Sequence, residues 1–482
     1  MVTIQVGLLT SRILNLYDVK VKRQLDDRLS YIIEGVEFMP AYQNGWDGRI
    51  RLFNAYQCSF STGLLNKVCS ILTQNNIAYT IQDTRVRPPA MPAIPTNTIL
   101  RQDQEDVVKT CIEKGRGIIS LPTGWGKSFS QIDLVCKLNL PTVIVVHKLD
   151  IMQQFIKWFK KRAGIDVGQI GNGIVDIKPI TVVMIQTLAN FLSIKSKEIK
   201  AEKVDMTKYN DVMNACKNAQ VVITDELHCM LEGSVWSKVF NKFPNAYYRL
   251  GFSATPYKSL SGELHSEAIY GPIIAHESYM NCVNKGYLTR PEVIIYRYKQ
   301  QGLPYGTRYQ QAYKEKIVEN EDRNFVICQL ALKYWQAGKK VFISITHINH
   351  GKLLKQMLEI AVGKKNVIFA DGSTSLEKRQ EAIESFEQGG KILISSSIFE
   401  TGVNIQSMDV LINAKCSLSK TVFLQTIGRC LRLSPGKTKA TIIDIQDTNI
   451  KYFAYHGRAR LGMIQDCEFD YKFVDSIDEV VV

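Results

Sequence analysis

Two series of short, predominantly apolar runs constrain this chain more than anything else in it. The first comprises GIISL (117–121), TVIVV (142–146), ITVVMI (180–185), AQVVITD (219–225) and YYRLGFSA (247–254). The second comprises KVFISIT (340–346), NVIFA (366–370), KILISSS (391–397), VLINA (410–414) and ATIIDI (440–445). Each has the length of a strand, and helix-length segments separate them. A strand that is apolar on both sides is buried on both faces, the condition of a parallel sheet covered by helices. Two such series in succession predict two α/β domains in tandem, over 99–286 and 287–482, with the boundary near 286–300.

Ahead of them, residues 1–84 alternate strand-like runs (TIQVGLL, YIIEGVEFM, RIRLF) with one helix expected at about Leu64–Asn75, the pattern of a small α+β domain. RVRPPAMPAIPTNT, 85–98, follows. Its four prolines exclude a helix or a central strand, so it reads as a linker. Within the small domain, QNGWDGRIRLF (43–53) holds two hairpin signals, Asn44-Gly45 and Asp47-Gly48. Trp46 lies between them, and Arg49 and Arg51 follow in strand alternation, projecting from one face. Either Trp46 folds back as core, or it stacks on a base pair opened at a DNA junction, worth about 1–3 kcal/mol.

The net charge is +14, spread along the chain rather than collected in a tail. That balance fits a polyanionic partner such as nucleic acid, and equally a basic soluble enzyme. The 11 cysteines form no CxxC pair and no metal-ligand spacing with histidine, which reads as reduced thiols in a cytoplasmic protein. No apolar run approaches the roughly 18 residues of a membrane span. The apolar start MVTIQVGLLTSRILNLYD lacks the basic region and cleavage site of a signal peptide.

LPTGWGKS, 121–128, follows the first apolar run and opens a helix. Gly124 and Gly126 let the backbone wrap a phosphate where a side chain would block it, and amides at the helix start point at the anion. Thr123 and Trp125 complete the loop, Lys127 reaches the β- and γ-phosphates of ATP, and Ser128 offers a hydroxyl to Mg²⁺. Leu121 stands where the full phosphate-loop pattern has glycine. VVITDELHC, 221–229, ends a buried strand on Asp225 and Glu226. Acids at the carboxyl end of a strand beside the phosphate-loop strand manage metal and attacking water, with Asp225 as metal ligand and Glu226 polarising the water. In QTIGRCLR, 425–432, Arg429 and Arg432 are three apart on an expected helix and share a face. Two guanidiniums reaching a γ-phosphate from the second domain would stabilise the transition state, an effect of about 10³–10⁵ in rate for arginine fingers. The plain alternatives are a chance turn, a helix cap and a basic surface.

These motifs, in this order and together with SATP (253–256), resemble those of the superfamily 2 helicases of the DExH type over about residues 100–450. The resemblance implies two RecA-like motor domains and Mg²⁺-ATP hydrolysis coupled to movement on nucleic acid. By it, Arg101 and Gln104 of LRQDQEDVV would read the adenine. Gln153 of HKLDIMQQF, Gln186 and Thr187 of IQTL, and His347 and His350 of HINHGK would contact nucleic acid. His228, Ser253 and Thr255 would couple hydrolysis to motion, Gln425 would join the two arginines, and Gly402 of SSSIFETGVNI would permit close approach at the nucleotide. On the residues alone, Ser253 and Thr255 are equally a plain strand-end loop.

The chain departs from the family where Leu227 replaces alanine in the Asp-Glu motif, and where VVHKLD lacks the usual Pro-Thr. NVIFADGST and ETGVN differ from the patterns of RNA-directed DEAD-box members, which points to the DNA-acting branch. VEFMPAYQNGWDGRIRLF (36–53), followed by TGLLNKV, is similar to the amino-terminal domain of phage UvsW-type recombination helicases. That similarity implies branch migration and reversal of replication forks on forked or four-way DNA, in the host cytoplasm, with residues 1–84 engaging duplex. The alternatives are an RNA helicase, the translocating part of a restriction system, or a binding module with a dead nucleotide fold. LPYGTRYQQAYKEK, 303–316, interleaves tyrosines with cations and reads more simply as a solvated helix face than as a DNA-channel lining. The charged segment 193–218 reads as surface helices.

Overall fold

The first series of apolar runs forms the centre of an eight-stranded sheet. Its order is Ile174–Asp176, Gly168–Gly171, Ile180–Met184, Thr142–Val146, Val221–Asp225, Tyr248–Ser253, Arg116–Ser120 and Ile273–His276. Every neighbouring pair is parallel except the edge pair of Gly168–Gly171 with Ile174–Asp176. This computed structural model describes residues 1–482 apart from 33–34, 194–204, 230–238, 258–259, 305, 397–404 and 406–407. The chain forms two units, one from Met1–Leu121 with Gly126–His276 and one containing Glu277–Val482.

Register decides what the first sheet presents. Ser253 pairs with Ser120, and Asp225 pairs with Phe252, so the loops after these three strands leave one edge at the same height. The strand ending in Asp225 is not beside the phosphate-loop strand, as the sequence reading has it. Tyr248–Ser253 lies between them. Of the charged segment 193–218, the helix Met206–Asn218 is described; it buries Val212 and Cys216 and exposes its other side, and 194–204 lie outside the described residues.

Residues 1–84 hold a second, five-stranded sheet in the order Phe53–Asn54, Ser59–Ser61, Thr10–Leu14, Val2–Val6 and Tyr79–Asp83. The helices Val19–Arg28 and Leu65–Gln74 cover one face through Val21, Leu25, Val68, Ile71 and Leu72. This core is not closed by its own residues. Leu264 and Ala268, from the helix Leu260–Tyr270 of the eight-stranded sheet's domain, belong to the same cluster. Gly63 permits the approach: a Cβ there would lie 1.9 Å from the Glu267 carbonyl oxygen. Lys67 reaches Glu263 at 3.2 Å and Glu267 at 3.0 Å, the Tyr31 hydroxyl lies 3.0 Å from His265 Nδ1, and the buried Arg116 guanidinium donates to the Leu8 carbonyl. The proline-rich stretch 85–98 holds no helix or strand, yet it is pinned to the eight-stranded sheet's domain. The Ile94 amide donates to the Cys136 carbonyl, Asn139 Nδ2 to Pro92, and the Asn97 amide to Arg162, at 2.8–2.9 Å. The stretch read as a linker is therefore a strap held against the eight-stranded sheet's domain, on which the amino-terminal module packs directly.

YIIEGVEFM and QNGWDGRIRLF also fold otherwise than their patterns suggest. Only Ser30–Ile32 of the former is strand; Val36–Phe38 is a 3₁₀ turn. The latter makes no hairpin of its own, because Arg49–Arg51 pairs antiparallel with the distant Ser30–Ile32. Gly48, at φ +73°, faces Val36, whose side chain would lie 2.7 Å from a Cβ.

The second unit is a seven-stranded, wholly parallel sheet: Val367–Ala370, Ile392–Ser395, Val341–Ser344, Val410–Asn413, Lys439–Asp447, Arg290–Tyr298 and Tyr471–Val474. Arg290–Tyr298 occupies the stretch read as a boundary; it is a buried nine-residue strand. Asp444 and Asp447, three apart in one strand, point to opposite faces. Arg460 meets Asp444 at 2.9 Å and Arg323 meets Asp447 at 3.0 Å, all four at most 1% exposed. Removing one member of such a pair leaves an uncompensated buried charge, at a cost of about 3–5 kcal/mol.

His350, expected on nucleic acid, is fully buried in this unit. Its Nε2 lies 2.8 Å from Asn324 Oδ1, while Asn324 Nδ2 donates to the Val318 carbonyl, so the imidazole is the donor. Nδ1 has no hydrogen-bond partner among the described residues, and burial together with the nearby Arg323 charge pushes the pKa down to about 3. The unfolded chain therefore takes up a proton that the native state refuses. The native state is favoured above about pH 6.5 and loses about 1.4 kcal/mol per pH unit as pH falls from there towards 3.

Two measurements test these packings. Gly63→Ala is expected to lower stability by about 1–3 kcal/mol in thermal or urea unfolding, because backbone must move to admit the methyl group. An unchanged midpoint would contradict the shared core. Between pH 7 and 5, the wild type should lose about 2 kcal/mol more stability than His350→Gln. Parallel pH profiles would show that the imidazole is not held neutral.

Candidate nucleotide site and nucleic-acid contacts

The loop between the strand Arg116–Ser120 and the helix Lys127–Leu138 turns on two glycines with left-handed backbone, Gly124 at φ +91° and Gly126 at φ +102°. Gly126 is needed for a second reason, since a Cβ would lie 2.5 Å from Gln104 Nε2. Gln104 is buried in the first turn of the helix Gln102–Lys114, where its Oε1 accepts the Arg101 amide at 3.1 Å. Arg101 pairs with Asp103 at 3.1 Å. Of the two residues expected at an adenine, Gln104 packs on the loop at Gly126, and Arg101 precedes it at the start of the same helix. Thr123 and Trp125 are buried, and Ser128 is half-buried. Lys127, 8% exposed, donates from Nζ to the Leu121 carbonyl at 3.1 Å and lies 3.8 Å from Glu226 Oε1. Amides at a helix start with an ammonium beside them can cradle a polyphosphate.

Asp225 ends its strand inside this edge. Its Oδ1 accepts from Gln131 Nε2 at 2.8 Å. Burial, and then the neighbouring Glu226 charge, raise its pKa to about 6, against the Gln131 hydrogen bond and the Lys127 charge. Gln131 was not singled out from the sequence, although it lies one turn after Lys127 on the same helix face. Glu226 is held at φ +51°, a left-handed conformation that costs a residue other than glycine of the order of 1 kcal/mol or more. From there its Oε2 lies 3.4 Å from His228 Nδ1, which lies 2.6 Å from Ser253 Oγ. Ser253 Oγ also accepts the Thr255 amide at 3.0 Å. One line of contacts therefore runs Lys127, Glu226, His228, Ser253, Thr255, all at the carboxyl edge of the sheet.

The other expected residues are distributed as follows. Gln153 is half-buried and its Nε2 lies 3.5 Å from Gln169 Oε1. Gln186 is exposed and donates to the His147 carbonyl at 3.3 Å, with the half-buried Thr187 next to it. Both glutamines follow strands that end at the same carboxyl edge. In the second unit, Gln425 and Arg429 are buried on the helix Lys420–Cys430. Arg432 does not share that helix, which ends at Cys430. Its Nη1 donates to the Ile405 carbonyl at 2.7 Å, and burial lowers its pKa to about 10, still cationic at neutral pH. Gly402 lies outside the described residues. His347 is exposed at the start of the helix Ile348–Val362, its ring 4.9 Å from that of Tyr313; His350 is core and unavailable. In the amino-terminal module Trp46 is half-buried, neither tucked away nor presented. Arg49 Nη1 donates to Ser30 Oγ at 3.1 Å. Arg51 is not a free cation: Asp26 at 3.0 Å and Asp47 hold it.

Among the described residues no helix is long and apolar enough to cross a membrane. Residues 97–258 match the family model for the res subunit of type III restriction enzymes, and residues 323–434 match the helicase conserved C-terminal domain. The ATP-dependent DNA helicase uvsW of Enterobacteria phage T4 is 23% identical over 93% of this chain and 94% of its own length. The DNA 3'-5' translocase XPB2 of Sulfurisphaera tokodaii is 24% identical over 71% of this chain and 80% of its own. In fold, the RNA- and ADP BeF3-bound Dbp5 of S. cerevisiae superposes with a TM-score of 0.53 at 13% identity, over 78% of this chain and 90% of that one. Two successive helicase domains built on parallel sheets, with these relatives, place the chain: it belongs to the superfamily 2 helicases and is an ATP-hydrolysing helicase related to the UvsW and XPB proteins.

Proposed function

We propose that this protein is a DExH-type DNA translocase that remodels branched duplexes, driving branch migration and fork reversal in recombination and repair. The observation that carries the motor part is the contact line from Lys127 through Glu226 and His228 to Ser253 at one sheet edge. It ties the group that would hold the γ-phosphate to the loop that leads into the helix Leu260–Tyr270, on which the amino-terminal module sits. In this reading Lys127 and the loop amides bind the phosphates, Gln104 and Arg101 orient the adenine, and Glu226 polarises the attacking water. Arg429 and Arg432 would supply cationic stabilisation to the transferring phosphoryl group, with the neutral Gln425 beside them as a hydrogen-bonding group. Asp225 and Ser128 would hold Mg²⁺. A buried carboxylate with little compensating charge around it suits a cation, which when bound would neutralise phosphate charge.

The domain assignment follows the same reading: 1–84 engages duplex DNA, 85–98 straps it, and 99–286 and 287–482 are the two motors. Support for the branched substrate is the relation to uvsW across 93% of the chain, which reaches into the amino-terminal module, and the fusion of that module to the first motor. The fold itself does not choose between DNA and RNA, since the RNA-bound Dbp5 shares it.

The test is steady-state ATP turnover and product formation on forks, four-way junctions, linear duplex, single strands and RNA. Branched DNA should stimulate turnover most and be converted to migrated or regressed product. Equal stimulation by RNA would overturn the DNA reading, and equal stimulation by linear duplex the branched one.

A further inference from the structure

The helix Lys451–Asp466 carries aromatic side chains that the helicase motifs leave unused. Tyr452, Tyr455 and His456 stand at i, i+3 and i+4 and so share a face. Tyr452 is 44% and Tyr455 57% exposed. Tyr309 packs edge-on to Tyr452 with ring centroids 5.7 Å apart and lies 5.8 Å from His456, so the rings make one continuous surface across two helices. It is supported from below. Tyr309 lies 6.0 Å from the buried Phe453, and Tyr313, 4% exposed, lies 6.1 Å from the same ring. The His456 Nδ1–H donates to the Cys416 carbonyl at 2.8 Å, fixing that ring. Of 303–316, read as a solvated helix face, Arg308, Gln310, Gln311, Lys314 and Glu315 are exposed as expected, whereas Tyr313 is core and Tyr309 is part of a ring cluster.

The cluster occupies the carboxyl edge of its sheet. The helix follows the strand Lys439–Asp447, and Cys416 follows Val410–Asn413. Open α/β sheets bind ligands along this edge. Its charge is one-sided. Lys451 and Arg458 are exposed on the same helix, whose first carboxylate is Asp466, and Arg308 is exposed next to Tyr309. None of these three cations forms an ion pair among the described residues. Packing explains the buried rings, but not three rings left partly in water among unpaired cations.

We propose that Tyr309, Tyr452 and Tyr455 form a stacking platform for unpaired DNA bases, with Lys451, Arg458 and Arg308 on the adjoining phosphates. Every base has a π-face, so such a platform tolerates any sequence, as a translocating motor requires. The cations without carboxylates favour a polyanion over a protein partner. The inference rests on the proposed function only in taking DNA as the ligand.

The test compares a labelled oligo(dT) strand of about 20 nucleotides with an abasic strand of equal length and charge, by fluorescence anisotropy on the full chain. The wild type should prefer the strand with bases. The double variant Tyr452→Ala/Tyr455→Ala should lose about tenfold of that preference, and Tyr452→Phe/Tyr455→Phe should keep it. Arg458→Gln should weaken both strands alike. An unchanged preference in the alanine variant would overturn the platform and leave the face to a protein partner. A tyrosine-dependent preference for oligo(rU) over oligo(dT) would overturn the DNA assignment. The ratio is independent of any response to forks, so the two readings fail separately.

Discussion

The parallel register of three strands, Val221–Asp225, Tyr248–Ser253 and Arg116–Ser120, is the constraint on which the rest depends. Side chains alternate along a strand, so a slip of one residue would send each terminal group to the opposite face of the sheet. In register, Ser120 hands the chain to the phosphate loop, Asp225 to Glu226 and His228, and Ser253 to Thr255. The strands are buried on both faces, so the sheet is rigid where the chemistry must be exact in position. The cost is visible beside it, in a glutamate held with left-handed backbone and a carboxylate whose pKa burial raises to about 6.

The same sheet fixes the amino-terminal module. Leaving the edge after Ser253, the chain enters the helix Leu260–Tyr270, whose Leu264 and Ala268 complete the module's core. Gly63 lets the two backbones touch, and the proline-rich strap lies along the motor surface rather than away from it. The module and the domain of the eight-stranded sheet are thus one packed body.

The sheets were legible from the sequence because a strand buried on both faces has no polar face to disguise it. The glycine-rich loop, Asp225 with Glu226, and their common carboxyl edge followed from spacing and strand ends, although the two strands are not neighbours as read but are separated by Tyr248–Ser253. What was not legible had its explanation elsewhere in the chain. Arg290–Tyr298 opens with arginine and proline and ends in tyrosine and arginine, so it reads as a boundary; its burial comes from Lys439–Asp447, far along the chain. Arg323 and Arg460 read as surface charges until Asp447 and Asp444 are brought to them across the sheet. His350 reads as a contact within a motif, whereas Asn324 and the helix packing make it core. Arg51, on a strand, reads as a free cation because Asp26 comes from the helix Val19–Arg28, and Arg432 lies beyond the helix expected to carry it, which ends two residues earlier.

The central claim is that the loop at Lys127 holds the phosphates of a hydrolysed nucleotide. It is tested most directly by phosphate release from wild type and Lys127→Ala at saturating DNA, with DNA affinity measured on the same preparations. The account predicts that turnover falls by at least about 10²-fold while DNA affinity is retained, because only the charge facing the phosphate is removed. Turnover at the wild-type rate in Lys127→Ala would contradict it.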